Sequence, residues 1–146
     1  MKQHVIDVEV TSSAQPEAVY ALLRNGASWP EFSSLGSFEL ERPAPDGSEG
    51  VGAIRVFRTG RITSREEIVL VEEPHRFAYV LLSGLPIRDY RAEVELSPTS
   101  GGTVIHWHST FRGTLPGVGW LVRRQLEGFL AELAQGLAAR AASPAA

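Results

Sequence analysis

A single long helical pattern at residues 117–142 constrains the fold of this chain more than any other feature. Its apolar residues recur at steps of three and four, the spacing that gathers side chains on one helix face. They are Val118, Val122, Leu126, Phe129, Leu133 and Leu137, with Leu130 widening the stripe. An apolar face about a hundred degrees wide must be covered by another part of the protein. Because nearly everything upstream has β-strand character, we expect a sheet wrapped against this helix.

The upstream segments predict one strand, two short helices and six further strands, in that order. Residues 4–12 alternate apolar and polar side chains, which predicts the first strand. QPEAVYALLRN predicts a short helix capped by Ser12 or Ser13, and WPEF falls in a second short helical segment or turn. The later strands are expected at residues 37–41, 52–58, 61–72, 76–83, 87–97 and 103–112, bounded by turn residues.

The last predicted hairpin has a clear separation of polar and apolar faces. Around a turn at 98–102 we expect Val94 opposite Ile105 and Ala92 opposite Trp107. The apolar face then holds Tyr90, Ala92, Val94, Leu96, Ile105, Trp107 and Phe111. The polar face holds Asp89, Arg91, Glu93, Glu95, His106 and His108. Tyr90 and Trp107 are thereby predicted to point toward the long helix.

Composition excludes several classes of protein. The chain has 146 residues, 43% hydrophobic and 21% charged, which suits one globular domain over 1–146 with a frayed tail at 143–146. A net charge of -3 without a basic patch argues against a nucleic-acid partner. No apolar run is long enough to cross a bilayer, and the N-terminus lacks the apolar core of a signal peptide, so we expect a cytoplasmic protein without stable membrane insertion. The absence of cysteine excludes disulfides and thiolate chemistry.

The motifs for nucleophilic catalysis and phosphate binding are missing from the sequence. There is no G-x-S-x-G elbow, and the glycines at 50–52 and 101–102 lie in strand turns without a following helix. His106 and His108 share one face and could make a metal site with Glu93 and Glu95. That face is polar and convex, where such groups are normally solvated. We therefore expect no metal and no cofactor.

Several segments, taken with the element order, resemble the START/Bet v 1-like, or SRPBCC, superfamily. The likeness is carried by SAQPEAVYALLRN, WPEF, GAIRVFRTG, ITSREEIVLVEEPHRFAY, IRDYRAEVEL and GGTVIHWHSTFRG, and covers nearly the whole chain. It is greatest to the polyketide cyclase/dehydrase and lipid-transport-like branch. The resemblance implies an α+β helix-grip fold, in which a seven-stranded antiparallel sheet wraps around the long C-terminal helix, with two short helices after strand 1. Such proteins enclose an apolar cavity that binds lipids, sterols, plant hormones or polyketides, and a minority catalyse cyclisation or dehydration.

A cavity in such a fold would be lined by inward strand residues and by the helix face. The candidate ligand-binding residues are Trp29, Phe32, Glu66, Tyr79, Tyr90, Trp107, Phe111, Leu126, Phe129, Leu130 and Leu133. An aromatic lining with a few polar donors suits an apolar, partly aromatic ligand. The alternative is that these side chains form a solid core. Gly136 lies at the edge of the helical stripe, where the missing side chain would let the sheet approach.

Glu66 is the strongest single candidate for a residue with a chemical role in the cavity. If Arg58 pairs with Ile62, Glu66 shares a face with Ile54 and Val56 and points inward. Burial would then raise its pKa and make it a general acid or base. Alternatively, Glu66 pairs with Arg55 on the neighbouring strand, or a register change of one residue places it in solvent.

Three functions remain open from the sequence. The first is a binding protein for a lipid or polyketide-like aromatic, oriented by Glu66, Tyr79, Tyr90 and Trp107. The second is a polyketide cyclase or dehydratase that transfers protons through Glu66, Tyr79 or Tyr90. The third is an accessory or stress protein without a ligand, which requires a filled core. The sequence does not distinguish a monomer from a dimer.

Overall fold

The computed structural model describes residues 2–143 and contains one seven-stranded antiparallel sheet. The strands are β1 (Gln3–Ser12), β2 (Ser37–Arg42), β3 (Ile54–Thr59), β4 (Ile62–Glu72), β5 (Arg76–Ser83), β6 (Ile87–Thr99) and β7 (Gly102–Gly113). Their spatial order is β1-β7-β6-β5-β4-β3-β2. Helix α1 (Pro16–Arg24) and a 3₁₀ helix (Gly26–Glu31) join β1 to β2, and the long helix α2 (Val118–Ala142) follows β7. The predicted α+β helix-grip architecture is confirmed.

Helix α2 lies against the sheet with the predicted apolar stripe. It begins after Gly117, whose φ of 82° is in the left-handed region that glycine adopts without strain. Leu130, Leu133 and Leu137 are fully buried on its inner face. Although α2 has 25 residues, no helix within residues 2–143 is long and apolar enough to cross a membrane.

Two predictions concern the C-terminal half of α2 and the residues that follow it. Ser143 directly follows the helix, and its backbone N–H donates to the Arg140 carbonyl at 3.2 Å. The rest of the predicted frayed tail, 144–146, lies outside the described residues. A Cβ on Gly136 would overlap the carbonyl oxygen of Phe32. The missing side chain at Gly136 therefore lets the segment after the 3₁₀ helix approach α2. The prediction that it lets the sheet approach was wrong.

A hydrogen bond of Ser12 links β1 to α2. The prediction that Ser12 or Ser13 caps α1 was wrong. The N-cap of α1 is Gln15, which makes no capping hydrogen bond through its side chain. The Ser12 hydroxyl instead donates to the Ala138 carbonyl at 2.7 Å. The serine thus provides a hydrogen-bond donor to a carbonyl near the end of the long helix, far away in sequence.

The β6–β7 hairpin has the predicted faces but a different register. Val94 lies opposite Trp107, and Ala92 lies opposite Ser109, two residues away from the predicted pairing. The reason is that both strands continue into the expected turn, so that Thr99 pairs with Gly102. Because side chains alternate with a period of two, an even shift leaves each residue on its predicted face.

The β3–β4 hairpin is shifted by one residue from the predicted pairing. Thr59, not Arg58, pairs with Ile62. An odd shift changes which residues share a face. Glu66 therefore lies opposite Arg55 and not with Ile54 and Val56. Glu66 still points inward, because the inward face of β3 is that of Arg55 and Phe57.

Candidate functional site

A cavity of about 440 Å³ lies between the sheet and the first half of α2. Its volume is within the range of about 300–1,000 Å³ that is typical of small-molecule pockets. Within residues 2–143 the lining consists of Trp29, Ser34, Leu35, Phe57, Thr59, Ile62, Ser64, Glu66, Tyr79, Leu81, Gly84, Leu85, Pro86, Tyr90, Val122, Gln125, Leu126, Phe129, Leu130 and Leu133. Apolar side chains predominate, and one carboxyl group is among them. Because this cavity lies between the sheet and α2, the core between them is not solid.

Exposed residues on the lining mark the mouth of the cavity. Ile62 belongs to the β3–β4 hairpin, Gly84 and Pro86 to the β5–β6 loop, and Gln125 to α2. All four are exposed and also border the cavity. The opening therefore lies between two turns of the sheet and the first half of α2.

Trp29 lies at the inner end of the cavity, where the 3₁₀ helix covers the sheet. Its ring stacks on Phe57 at 5.2 Å between centroids and meets the edges of Trp107 at 5.5 Å and Tyr79 at 6.0 Å. Its indole N–H donates to the Leu23 carbonyl at 3.3 Å. Since Trp29 is 1% exposed, it is both a wall of the cavity and a part of the core.

The polar groups of the cavity gather on the sheet side. Tyr79 and Tyr90 are neighbours, with ring centroids 6.4 Å apart, and both lie with Glu66 on the cavity wall. The Trp107 indole and the Ser109 hydroxyl lie behind these tyrosines and interact with their hydroxyls. Yet within residues 2–143 neither Trp107 Nε1 nor Ser109 Oγ has a well-aligned hydrogen-bond partner. Both groups are covered by the tyrosines, so they support the polar side of the cavity from behind.

Glu66 is an acid held in a weakly hydrated site. It is half-buried because it borders the cavity, and loss of hydration raises the pKa of its carboxyl group from 4.5 to about 7. The positive charge of Arg55 opposes this rise. Burial also raises the pKa of Tyr79 and Tyr90, so both remain neutral donors near pH 7. Glu66 is thus the cavity group that changes charge near neutral pH.

Arg55 lies beneath the cavity and makes its close polar contacts with Glu49 and with the Leu23 carbonyl. Its guanidinium lies over the rings of Trp29 and Phe77, and its Nε is 2.8 Å from a carboxylate oxygen of Glu49. The alignment of this contact is poor for a hydrogen bond, so we describe it as an ion pair. A second nitrogen donates to the Leu23 carbonyl at 2.8 Å. Arg55 thus makes its close ion pair with Glu49, and its charge acts on Glu66, the residue opposite to it on β4, at longer range.

Most of the predicted ligand-binding residues meet at this cavity. Those on the wall are Trp29, Glu66, Tyr79, Tyr90, Leu126, Phe129, Leu130 and Leu133. Three predicted residues, Phe32, Trp107 and Phe111, are not part of the lining that residues 2–143 form, which corrects their placement. Phe32 packs beside Trp29, Trp107 lies behind Tyr79, and Phe111 stacks on His4 at 5.2 Å. They support the wall from behind.

The sequence did not identify the rim of the cavity. Leu35, Leu85 and Pro86 come from loops, where no periodicity indicates direction. Phe57 and Ser64 could have been found, because they share the inward face of Glu66 in the correct register. The one-residue error in the β3–β4 pairing concealed Phe57.

The raised pKa of Glu66 predicts a pH-dependent stability. A carboxyl group whose pKa is higher in the folded than in the unfolded protein favours folding below pH 4.5, and that contribution is lost as the pH rises through about 7. Relative to Glu66→Gln, the wild type should lose up to about 3 kcal/mol of unfolding free energy across this window. Urea titrations at about pH 5 and about pH 8 measure the difference.

A matched substitution controls for the loss of a carboxylate from β4. Glu67→Gln alters the next residue, on the opposite face of the strand. A pH-independent difference between the wild type and Glu66→Gln would contradict the cavity assignment of this carboxyl group.

The strand order and the long C-terminal helix give the helix-grip fold, which START and Bet v 1-like proteins share. A sequence model of the family described as polyketide cyclase / dehydrase and lipid transport matches residues 3–142. The chain belongs to this family. A search of curated protein sequences finds no significant match.

Solved structures share this fold at low sequence identity. A START superfamily protein from Mycobacterium smegmatis superposes with a TM-score of 0.80 at 14% identity, over 94% of this chain and 97% of that one. Ginseng major latex-like protein 151 from Panax ginseng gives 0.80 at 13% identity, over 97% and 99%. Norcoclaurine synthase from Thalictrum flavum, in complex with dopamine and hydroxybenzaldehyde, gives 0.75 at 19% identity, over 95% and 86%. These likenesses extend over nearly the whole chain and concern the fold.

Proposed function

We propose that this protein binds a small, largely apolar molecule with at least one hydrogen-bonding group, in the cavity between the sheet and α2. The observation that carries the proposal is the cavity of about 440 Å³, with apolar walls and one polar side. A lipid or a polyketide-like aromatic fits this description. The cavity also weighs against an accessory protein without a ligand, since that hypothesis requires a filled core.

The apolar walls would supply most of the affinity. Leu126, Phe129, Leu130 and Leu133 of α2 face the aromatic rings of the sheet across the cavity. Removing apolar area of a ligand from water contributes roughly 25 cal/mol per Å² before the entropic costs of binding are subtracted. The same surfaces offer ring faces and edges to an aromatic ligand.

The polar side would orient the ligand. Tyr79 and Tyr90 can donate through their hydroxyls, and Glu66 can accept as a carboxylate or donate as an acid. A ligand carbonyl or hydroxyl placed there would meet two or three partners in a weakly hydrated site. Such groups select a ligand by rejecting one that leaves them unpaired.

Occupation of the cavity can be tested by filling it. Leu126 is half-buried on the cavity wall, so Leu126→Trp should place an indole in the space that the ligand requires. We expect this variant to bind a fluorescent naphthalene probe at least about tenfold more weakly, a loss of 1.4 kcal/mol. Fluorescence titration measures the affinity.

Leu121→Trp is the matched control, because Leu121 is 56% exposed on the same helix. Its probe affinity should equal that of the wild type. Equal affinities for all three proteins would show that the probe binds elsewhere and would overturn the proposal. So would the failure of the wild type to bind any apolar probe.

Catalysis is the second candidate function, and one observation favours it. Glu66 combines a pKa of about 7 with a place among the cavity tyrosines, which suits a general acid or base. In a dehydration, its carboxylate would take a proton from the carbon beside a substrate carbonyl and return it to the departing hydroxyl, which leaves as water. Norcoclaurine synthase from Thalictrum flavum, in complex with dopamine and hydroxybenzaldehyde, shares this fold. Turnover of a β-hydroxyketone that is lost in Glu66→Gln, with binding retained, would favour the enzyme over the binding protein.

A further inference from the structure

A pair of histidines lies on the sheet face opposite to the cavity. His106 and His108 are two residues apart in β7, so both side chains project from the same face. Their rings stack with centroids 4.6 Å apart and an interplanar angle of 30°. Both are half-buried, and therefore both are accessible to solutes. Neither takes part in the cavity function proposed above.

The strand register surrounds this pair with carboxylates. His106 lies between Glu9 of β1 and Glu95 of β6, and His108 lies between Asp7 and Glu93. With the register expected from the sequence, Glu95 would have had no histidine opposite to it. The observed shift of two residues places Glu95 directly opposite His106 and Glu93 directly opposite His108.

The ring nitrogens already contact two of these carboxylates. Nε2 of His106 is 2.8 Å from Oδ1 of Asp7, and Nε2 of His108 is 2.8 Å from Oε1 of Glu95. One ligand atom from each of Glu95, His106 and His108 lies within 4.8 Å of the others. Glu93 is occupied differently, because Arg76 holds it at 3.0 Å.

We propose that His106, His108 and Glu95 form a binding site for a divalent transition metal ion such as Zn²⁺, with Asp7 placed to supply a fourth ligand. Imidazole nitrogen with carboxylate oxygen is a donor set that Zn²⁺ accepts readily. Bonds of about 2.0–2.1 Å place the ligands of a tetrahedral zinc ion about 3.3 Å apart. The His108–Glu95 contact is already near this distance, and rotation of half-exposed side chains would bring in the rest.

The carboxylates around the two histidines favour a bound cation. A single metal ion coordinated by both imidazole rings would neutralise part of the negative charge that these carboxylates bring together on β1 and β6. The carboxylates of β1 and β6 lie on both sides of β7, so the ion would link three neighbouring strands.

Titration calorimetry with ZnCl₂, on the full chain without a histidine purification tag, tests the site. We expect one Zn²⁺ per chain, and affinities at least about tenfold lower in His106→Ala, His108→Ala and Glu95→Gln. Zinc at about a hundred times its dissociation constant should raise the Tm of the wild type by about 9 °C, and the same zinc concentration should raise that of His108→Ala by about half as much or less.

His75→Ala provides the matched control, because His75 is an exposed histidine outside the cluster. It should bind zinc as the wild type does. The proposal is overturned if the wild type shows no saturable binding, if the cluster variants retain full affinity, or if His75→Ala loses as much affinity as they do. Since the cavity lies on the other face, probe binding should be unaffected in every variant.

Discussion

Trp29→Ala is expected to lower the free energy of unfolding by about 3–5 kcal/mol. Trp29 is 1% exposed and contacts aromatic rings on β3, β5 and β7. Its loss would enlarge the cavity and uncover the Arg55 guanidinium, which lies 5.4 Å from the centre of its ring. The neighbouring strands are held in the sheet by hydrogen bonds and cannot collapse into the space. Urea denaturation followed by circular dichroism measures the effect without depending on the fluorophore that is removed.

Trp120→Ala removes the same side chain from a different environment. Trp120 is 56% exposed near the start of α2, and Arg124 lies over its ring at 5.9 Å. We expect a change of about 0.5 kcal/mol or less. If Trp29→Ala does not yield folded protein, Trp29→Phe should give a smaller loss in the same direction. Equal stabilities for Trp29→Ala and Trp120→Ala would contradict the role of Trp29 as the inner wall of the cavity.

Glu49→Ala is expected to destabilise the protein by about 3 kcal/mol or more. Its carboxylate lies 2.8 Å from Arg55, whose side chain is 2% exposed, and accepts the backbone N–H of Gly26 at 2.9 Å. Removing Glu49 would leave a guanidinium buried without its counter-charge. The loop before β3 and the start of the 3₁₀ helix would also lose a connection. Thermal and urea denaturation report the loss.

A surface ion pair of nearly equal length provides the comparison. Arg58 lies 2.9 Å from Glu39, but these side chains are 49% and 56% exposed. Glu39→Ala should cost about 1 kcal/mol or less, because water solvates the arginine that remains. The separations are nearly the same, so any difference in effect arises from burial. Similar losses in the two variants would show that Arg55 is reached by water or by another partner.

The rescue of Glu49→Ala provides a further check. If the cost arises from an unpaired buried charge, adding Arg55→Met should recover part of the stability. A methionine would occupy the space between Trp29 and Phe77 without a charge to solvate. A double variant that is less stable than Glu49→Ala would indicate that Arg55 contributes mainly through its ring contacts and its bond to the Leu23 carbonyl.

Local periodicity was sufficient for the elements and for most of their faces. The three-and-four spacing of α2 correctly placed Leu126, Phe129, Leu130 and Leu133 toward the sheet. The alternation in β6 and β7 correctly separated the buried side chains from the histidines and glutamates. Both patterns can be read within one segment, because the side-chain direction depends on the backbone period of that segment alone.

Pairing between segments could not be read in this way. The sequence contains equally acceptable registers for both hairpins, and the lengths of the turns decide between them. An error of two residues left the faces of β6 and β7 correct but paired Glu95 with Val104, whereas the structure pairs it with His106. An error of one residue at β3–β4 assigned the wrong neighbours to Glu66.

The sequence by itself determined the order of the strands and helices, the inner face of α2 and the inward aromatic side chains. Only the tertiary structure decided that these side chains leave a cavity, that Arg55 pairs with Glu49, and that part of the rim comes from the loops before β2 and between β5 and β6. The physical reason is that a cavity is the space left between surfaces contributed by distant segments. Its size depends on strand register and on the approach of α2, which Gly136 permits at one point. No single segment contains that information.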